Sequence, residues 1–322
     1  MDGSGGASDH HKPADASSLC AGNWRGMGGA VSDHGGTRQH SSWRSISLCV
    51  DDFGLHPGIN EAVFTLARQG RVQAVSAMVG GAAWPEGARG LLAVARTGRV
   101  EVGLHLDLTE CPLNPANRQP LGHLIARAYL HQLDPVALRA EVAGQLDAFE
   151  AAMGCAPAYV DGHQHVHQLP QVRAALLQEL ARRYPAGGLW LRATRGPQGA
   201  AHLDARTRFK SQVIAWLGAR ALSSLAQRQG LRQNARLLGV YDFRGDAAQY
   251  RARLDAWLHA CRHGDLLMCH AGRPSPGAPD VLEGARQAEL EVLGSAGFED
   301  ALKAARVRLA PMGQILAGLP AQ

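Results

Sequence analysis

The sequence predicts an α/β fold of the (β/α) barrel type, related to the TIM barrel, in a single domain. Short apolar runs that resemble β-strands alternate along the chain with helical segments, as is typical of parallel α/β folds. The chain has 322 residues, of which 46% are hydrophobic, and this is enough for one large core. Polar side chains suited to catalysis recur where strand-like runs end, and barrel enzymes carry their active sites at that end.

The N-terminal segment differs in composition from the rest of the chain. Residues 1–44 are rich in Gly, Ser, Asp and His and poor in aliphatic side chains. Such a segment cannot bury enough apolar surface to offset the entropy of ordering. We therefore predict a disordered extension over residues 1–44 and the barrel domain over residues 45–322.

The first predicted strand, residues 46–50, brings Asp51 and Asp52 to its C-terminal end, and a helix follows over residues 57–69. Two adjacent carboxylates are costly unless a cation or a proton compensates them. They therefore suggest a functional site. The alternative interpretation is a pair of helix-capping residues.

The remaining elements follow from apolar periodicity and from Gly and Pro positions. The further predicted strands cover residues 72–79, 100–108, 158–160, 189–192, 237–241, 264–270 and 307–309. The further predicted helices cover residues 85–96, 121–153 with a break near 134–135, 170–184, 211–229, 249–263, 285–294 and 298–305.

Histidines follow several of these strands. His163, His165 and His167 come directly after the strand at 158–160, and on an extended backbone they would share one face. Imidazole is the commonest protein ligand of transition metals, so this cluster predicts a metal site. A surface histidine run that binds metal adventitiously is the alternative. His105 and His270 also lie at strand ends, although His105 alone would be read as a hydrogen-bonded core residue.

Four motifs together resemble the YdjC-like carbohydrate deacetylases, a family that includes chitooligosaccharide deacetylases and relatives linked to hopanoid biosynthesis. The resemblance covers residues 46–311, and the motifs occur in the family's order. They are Asp51-Asp52-Phe53-Gly54, Gly103-Leu104-His105-Leu106, Asp161-Gly162-His163-Gln164-His165-Val166-His167 and Met268-Cys269-His270.

This resemblance implies a barrel-like α/β fold and one divalent metal ion held by Asp52, His105 and His163. Magnesium and zinc are the leading candidates for the ion, with manganese, cobalt and nickel as alternatives. The implied reaction is hydrolysis of the N-acetyl group of an amino sugar. The chain departs from the family pattern at Ala271, where the family usually has Pro, and in its long N-terminal segment.

The chemistry of amide hydrolysis assigns further roles. A divalent ion lowers the pKa of a bound water and polarises the carbonyl oxygen. Asp51, beside Asp52, is the predicted base that takes a proton from the water, and His270 is the predicted acid that protonates the leaving nitrogen. Three residues are predicted to contact substrate or support the site. These are His165, His167 and Arg192, the last of which could hold a carboxylate, polarise the carbonyl or form an ordinary ion pair.

Two other classes of function compete with a deacetylase. A phosphoesterase or amidohydrolase also uses histidines at strand ends, but multinuclear sites usually add carboxylates or a bridging lysine. The three lysines, Lys12, Lys210 and Lys303, lie outside the strand-end motifs. A metal- or sugar-binding protein without activity would need neither Asp51 nor His270.

Charge and hydropathy restrict the partners. The net charge is +5, but the basic residues are dispersed and lack an aromatic-basic repeat, which argues against nucleic acid as a partner. No apolar run is long enough to cross a bilayer, and no basic-then-apolar signal pattern opens the chain. We therefore expect a cytoplasmic protein without stable membrane insertion that acts on an N-acetylated sugar or glycoconjugate, with a homodimer left open.

Overall fold

The computed structural model describes residues 43–197, 205–275, 277 and 280–319. Within these residues, parallel strands form one curled sheet with helices packed on its outside, so the structure confirms the predicted barrel-like α/β fold. The predicted extension lies almost entirely outside the described residues. The described part of the chain begins at Trp43, and the first strand begins at Arg44, one residue before the predicted domain start.

The strands lie in the sheet in the order β5-β4-β3-β2-β1-β7-β6, with β8 paired to the N-terminal part of β1. Their bounds are β1 Arg44–Phe53, β2 Ala74–Ala77, β3 Glu101–Leu106, β4 Tyr159–Gly162, β5 Trp190–Leu191, β6 Leu237–Leu238, β7 Leu266–Cys269 and β8 Val307–Leu309. The two edges approach each other through irregular backbone. Leu191 N–H donates to Arg232 C=O at 2.9 Å, and Leu237 N–H donates to Arg195 C=O at 2.8 Å.

Helices connect successive strands, as parallel pairing requires. Their bounds are α1 Pro57–Arg68, α2 Trp84–Ala95, α3 Leu121–Tyr129, α4 Pro135–Met153, α5 Pro170–Arg183, α6 Ala205–Ile214, α7 Arg220–Arg228, α8 Ala247–Ala260, α9 Glu283–Gly294, α10 Ala296–Ala304 and α11 Met312–Ala317. Two short 3-10 turns cover Pro115–Asn117 and His163–Gln168. The predicted strands and most of the predicted helices are present, with ends shifted by a few residues.

The structure differs from the prediction in two helical regions. The single helix expected over residues 211–229 is divided into α6 and α7 by a π-helical turn at Ala215–Ala219. Helix α11 was not predicted from the sequence, because it has only six residues, too few for a clear helical periodicity, and follows directly after Pro311. None of the helices in the described ranges is long and apolar enough to cross a membrane.

Successive side chains of a strand point to opposite faces of the sheet, and this divides the hydrophobic core into two clusters. On β1, Ile46, Leu48 and Val50 point outward into the large cluster between sheet and helices. Cys49 points inward, into a smaller cluster inside the barrel. Helix α11 adds Met312, Ile315 and Leu316 to this inner cluster. The inner cluster therefore fills one end of the barrel, and the polar groups collect at the other end, where the strands finish.

Candidate functional site

The two adjacent carboxylates of β1 reach the site by different backbone conformations. Asp51 continues the inward alternation of Cys49. In a regular strand the Asp52 side chain would then point outward. Instead, Asp52 adopts a left-handed backbone conformation with φ 66°. The pairing register between β1 and β2 also shifts between Val50 and Phe53. This irregularity places both carboxylates at the C-terminal end of the barrel, each at most 2% exposed.

Asp52, His105 and His163 converge in this region. The Oδ1 atom of Asp52 lies 3.0 Å from His163 Nδ1 and 3.4 Å from His105 Nε2. One ligand atom from each of the three residues lies within 4.8 Å of the others. The structure therefore brings together the three residues that the family resemblance implies as metal ligands.

Asp161 orients His105. Strands β3 and β4 pair with His105 opposite Asp161, so their side chains are neighbours inside the barrel. His105 Nδ1 lies 2.6 Å from Asp161 Oδ1, which leaves Nε2 directed at Asp52. A carboxylate on the far nitrogen is the usual partner of a metal-binding histidine, because it sets the tautomer and the ring orientation.

The electrostatics of the cluster favour a cation. Burial opposes protonation of His105, but the Asp161, Asp51 and Asp52 carboxylates outweigh it and raise the pKa of His105 to about 10. Asp52 likewise outweighs burial and raises the pKa of His163. One carboxylate oxygen and two imidazole nitrogens fit a divalent ion such as zinc and leave positions open for water and substrate. The residues present therefore fit the implied metal.

Arg192 is surrounded by acidic and polar groups inside the barrel. Its guanidinium donates to both oxygens of Asp51, at 2.6 and 2.7 Å, and lies 2.6 Å from Asp161 Oδ2. Burial would raise the pKa of Asp51, but Arg192 overrides burial and holds this pKa well below its usual range. Cys49, Asp51 and Asp161 also converge as a set of donors, but this guanidinium already occupies the space between them.

The contacts of Arg192 are ion pairs with Asp51 and Asp161, and its role in catalysis stays a prediction. Its side chain is fully buried and does not line the cavity described below, so direct contact with a substrate carbonyl is not supported.

A second buried arginine, Arg286 of α9, holds the other oxygen of Asp52. Its Nη2 donates to Asp52 Oδ2 at 2.8 Å, its Nε donates to Asp280, and its Nη1 donates to His270 C=O at 3.1 Å. Arg286 therefore leaves only Oδ1 of Asp52 directed at the two histidines. The sequence analysis did not identify it, because no motif marks a helical arginine sixteen residues after His270.

His270 lies just after β7 and lines the cavity. Its ring packs edge-on against Phe243 at 4.9 Å between centroids, and its buried Nδ1 has no hydrogen-bond partner. Burial lowers the pKa of His270 to about 4, although Asp52 and Asp51 act in the opposite direction. The imidazole is thus neutral at pH 7 in the free protein.

Buried Glu289 of α9 supports His270 from behind. It accepts the His270 backbone N–H and, at 2.7 Å, the Tyr241 hydroxyl. Burial raises the pKa of Glu289 to about 7 despite these two bonds. Sequence reasoning missed this residue too, because it lies within an ordinary helical repeat.

The histidine cluster does not have the geometry predicted for it. After β4 the chain enters the 3-10 turn His163–Gln168, where Gln164 and His165 adopt φ values of 50° and 61°. The backbone is not extended, so the prediction that His163, His165 and His167 share one face is wrong. The cause is local: Gly162 packs directly against His167, and a Cβ there would lie 2.8 Å from the His167 nitrogen.

His165 and His167 therefore separate. His165 lines the cavity, and burial, together with the nearby His167 and Arg192, keeps its pKa well below the usual value. His167 is fully buried, and its Nε2 donates to Arg192 C=O at 3.1 Å. It positions the chain beside Arg192 and does not line the cavity.

A cavity of about 600 Å³ opens above these residues. Its polar floor contains Asp51, Asp52, His105, His163, His165, His270 and Arg286. Its walls are mostly aliphatic and include Leu121 and Ile125 of α3 and Ile214 and Leu217 of the α6 region. Lys210 also reaches the cavity, with Nζ donating to Tyr241 C=O at 2.6 Å and lying 4.1 Å from the centre of the Phe243 ring.

Comparison with known proteins places this site in a family. A family model described as YdjC-like protein matches residues 45–304. A human protein named carbohydrate deacetylase is 31% identical over 252 residues, which cover 71% of this chain and 75% of the human protein. A chitooligosaccharide deacetylase of Yersinia pestis is 33% identical over 130 residues, 38% of this chain and 50% of that protein. The chain thus spans about half the length of the bacterial relative.

Among solved structures, the chain is similar to a protein from Enterococcus faecalis V583 described as a candidate cellobiose-phosphate cleavage protein. The two share 19% sequence identity with a TM-score of 0.61, and the match covers 85% of this chain and 99% of that one. At this level of identity, the similarity concerns the fold.

Proposed function

Because the chain belongs to the YdjC-like protein family, we propose that it is a metal-dependent carbohydrate N-deacetylase that hydrolyses the acetamide of an N-acetylated amino sugar. The observation that carries this proposal is the buried cluster of Asp52, His105 and His163 at the floor of an open cavity. The names of the human and bacterial relatives support a sugar substrate.

In this proposal Asp52, His105 and His163 hold one divalent ion, with zinc or magnesium as the first candidates. The ion, when bound, supplies a nucleophilic water at neutral pH and polarises the carbonyl oxygen of the acetamide. Asp161 orients His105 by its contact with Nδ1, which leaves Nε2 free to bind the ion. Arg286 orients Asp52 by its hydrogen bond to Oδ2, which leaves Oδ1 free to bind it.

Asp51 and His270 are the proposed proton-transfer groups. Arg192 keeps Asp51 ionised at neutral pH, so the carboxylate is able to accept a proton, although its low pKa makes it a weak base. His270 has a free Nδ1, and it must gain a proton before it can protonate the leaving amine. His165 on the cavity floor and Lys210, which also lines the cavity, are the proposed contacts for the sugar.

The test is release of acetate from N-acetylated mono- and oligosaccharides, measured with metal content on the same samples. We expect metal-dependent acetate release from wild type, and we expect His163→Ala to lose both bound metal and activity. His123→Ala, an exposed histidine on α3, is the matched control and should retain both. Full activity in a metal-free His163→Ala variant would refute the proposed metal site.

A cytoplasmic location and a homodimer remain predictions from the sequence. Gel filtration with light scattering would decide the second.

A further inference from the structure

Helix α6 and the turn that follows it carry apolar residues toward the cavity and other apolar residues toward solvent. The residues of this segment that line the cavity are Lys210, Val213, Ile214 and Leu217. Phe209 on α6 and Trp216 in the π-helical turn, seven residues later, face solvent. Phe209 is 64% exposed and Trp216 is 74% exposed.

Exposure of two large aromatic side chains on one short segment has no structural benefit for the isolated chain. Burying each would release a large apolar area from water. Among the described residues, no other Phe or Trp side chain is exposed. Such a pair usually marks a surface that contacts an apolar partner.

The charge around this pair restricts the partner. Residues 205–229 contain no Asp or Glu. Arg206 lies one helical turn before Phe209, Arg220 follows Trp216 by four residues, and both are exposed. The basic residues of this stretch are Arg206, Arg208, Lys210, Arg220 and Arg228. The partner must therefore combine an apolar layer with negative charge.

An anionic bilayer surface has both properties. Helices that lie in the headgroup layer place Trp and Phe at the boundary of the acyl chains and Arg or Lys among the lipid phosphates. A nucleic acid is less suited, because proteins that stack bases on aromatic rings usually do so in a basic groove. Here the two rings are exposed to solvent and do not line the cavity.

We propose that residues 206–220 form a membrane-surface docking helix, which inserts Phe209 and Trp216 into the headgroup layer of an anionic bilayer while Arg206 and Arg220 contact lipid phosphates. The docking is peripheral, which agrees with the absence of a membrane-spanning helix in the described ranges. It would place the cavity wall formed by α6 beside the lipid surface. This inference does not depend on the deacetylase activity.

The experiment is sedimentation of the full chain with large unilamellar vesicles of phosphatidylcholine, alone or with 30% phosphatidylglycerol as an anionic component. We expect binding to the anionic vesicles, weakening as salt is added. Arg206→Gln with Arg220→Gln should weaken binding roughly thirty-fold, since each basic residue near an anionic surface contributes about 1 kcal/mol. Phe209→Ala with Trp216→Ala should weaken it about tenfold or more.

The matched charge control is Arg96→Gln with Arg99→Gln. Both arginines are exposed and lie between α2 and β3, at the opposite end of the sheet from the cavity. This control should bind vesicles like wild type. Circular dichroism of every variant, compared with wild type, separates lost binding from lost folding.

Three outcomes would overturn the proposal. The first is that the wild-type protein does not bind anionic vesicles at low salt. The second is that the variant with Phe209→Ala and Trp216→Ala binds them as well as wild type. A third outcome is a wild-type dimer that the aromatic variant converts to a monomer without any vesicle binding, which would identify the face as a contact between copies of the chain. A fluorescence blue shift on vesicle addition that is lost in Trp216→Phe would further support insertion.

Discussion

Backbone conformation at single residues decides which side chains form the candidate site. Asp51 and Asp52 are chemically identical neighbours, yet Asp51 is held by Arg192 inside the barrel and Asp52 by Arg286 beside the two histidines. The left-handed conformation of Asp52 separates them, since a regular strand would send it outward into the apolar layer. Such strain is often found at functional sites.

The division of labour between Asp51 and His270 is testable. Asp51→Asn preserves shape and leaves Asp52 unchanged, so it should lower kcat by about 10²–10⁴-fold with little loss of metal. His270→Ala should cost a similar factor on an acetamide, and much less on an activated acetyl ester, because the ester's leaving group departs without protonation. The measurements are kcat on both substrates and metal content.

Two results would change this assignment. Equal losses on both substrates would mean that neutral His270 takes part before the leaving group departs, as a base or by positioning the substrate. Loss of metal in Asp51→Asn would mean that the two carboxylates have been assigned the wrong way round.

Among the elements, the π-helical turn between α6 and α7 determines how α6 lies over the cavity. Gly218 in this turn has φ 130° and approaches the Gln168 carbonyl so closely that a Cβ would lie 2.2 Å from its oxygen. Gln168 in turn donates its side-chain amide to Ile214 C=O at 2.8 Å. Gln168, the last residue of the histidine turn, therefore contacts both the π-helical turn and the cavity wall of α6.

We expect Gly218→Ala to lower the free energy of unfolding by about 1–3 kcal/mol, because it adds both a backbone strain and a steric conflict. Gly122→Ala on α3 is the matched control: no atom lies within 4 Å of its added Cβ, and its φ is not positive. This control should leave stability unchanged or raise it by about 0.5–1 kcal/mol. Urea unfolding measures both, and equal effects would contradict the role given to Gly218.

For the whole molecule, stability should depend on the pH because of buried Glu289. Its pKa is about 7 in the folded protein against an ordinary value of 4.5, so the folded state binds more protons between these limits. The contribution of Glu289 to the free energy of unfolding is therefore most favourable below pH 4.5. It becomes less favourable as the pH rises to about 7. The loss amounts to about 3 kcal/mol, at 1.36 kcal/mol per pKa unit.

Glu289→Gln should remove this part of the pH dependence, because an amide does not titrate here. Glu291→Gln, exposed on the same helix, should keep the wild-type slope. Urea unfolding of the three proteins from pH 5 to pH 8 makes the comparison. Parallel slopes for wild type and Glu289→Gln would show that the glutamate is ionised throughout.

Removal of residues 1–42 should leave thermal stability and turnover nearly unchanged, as expected for a segment with too little apolar content to pack. Removal of residues 1–46 should unfold the protein, because Arg44 donates to Cys261 C=O at 2.7 Å and residues 44–46 pair with β8. Differential scanning calorimetry of both truncations tests the boundary. A large loss of stability in the shorter deletion would contradict it.

The sequence by itself determined the fold class, the family and the strand ends at which the candidate site lies. These properties depend on local patterns: apolar periodicity for the elements, and short motifs for Asp52, His105 and His163. Because the C-terminal ends of parallel strands meet at one edge of a sheet, residues far apart in the chain were expected to lie together.

Only the tertiary structure decided which groups hold these side chains in place. The tight turn after Gly162 removed His167 from the cavity and kept His165 in it, because Gln164 and His165 adopt a left-handed conformation that sequence alternation does not reveal. The partnerships of Arg192 with Asp51 and of Arg286 with Asp52 join residues 141 and 234 positions apart. Such contacts depend on how elements pack, and no local pattern in the chain encodes them.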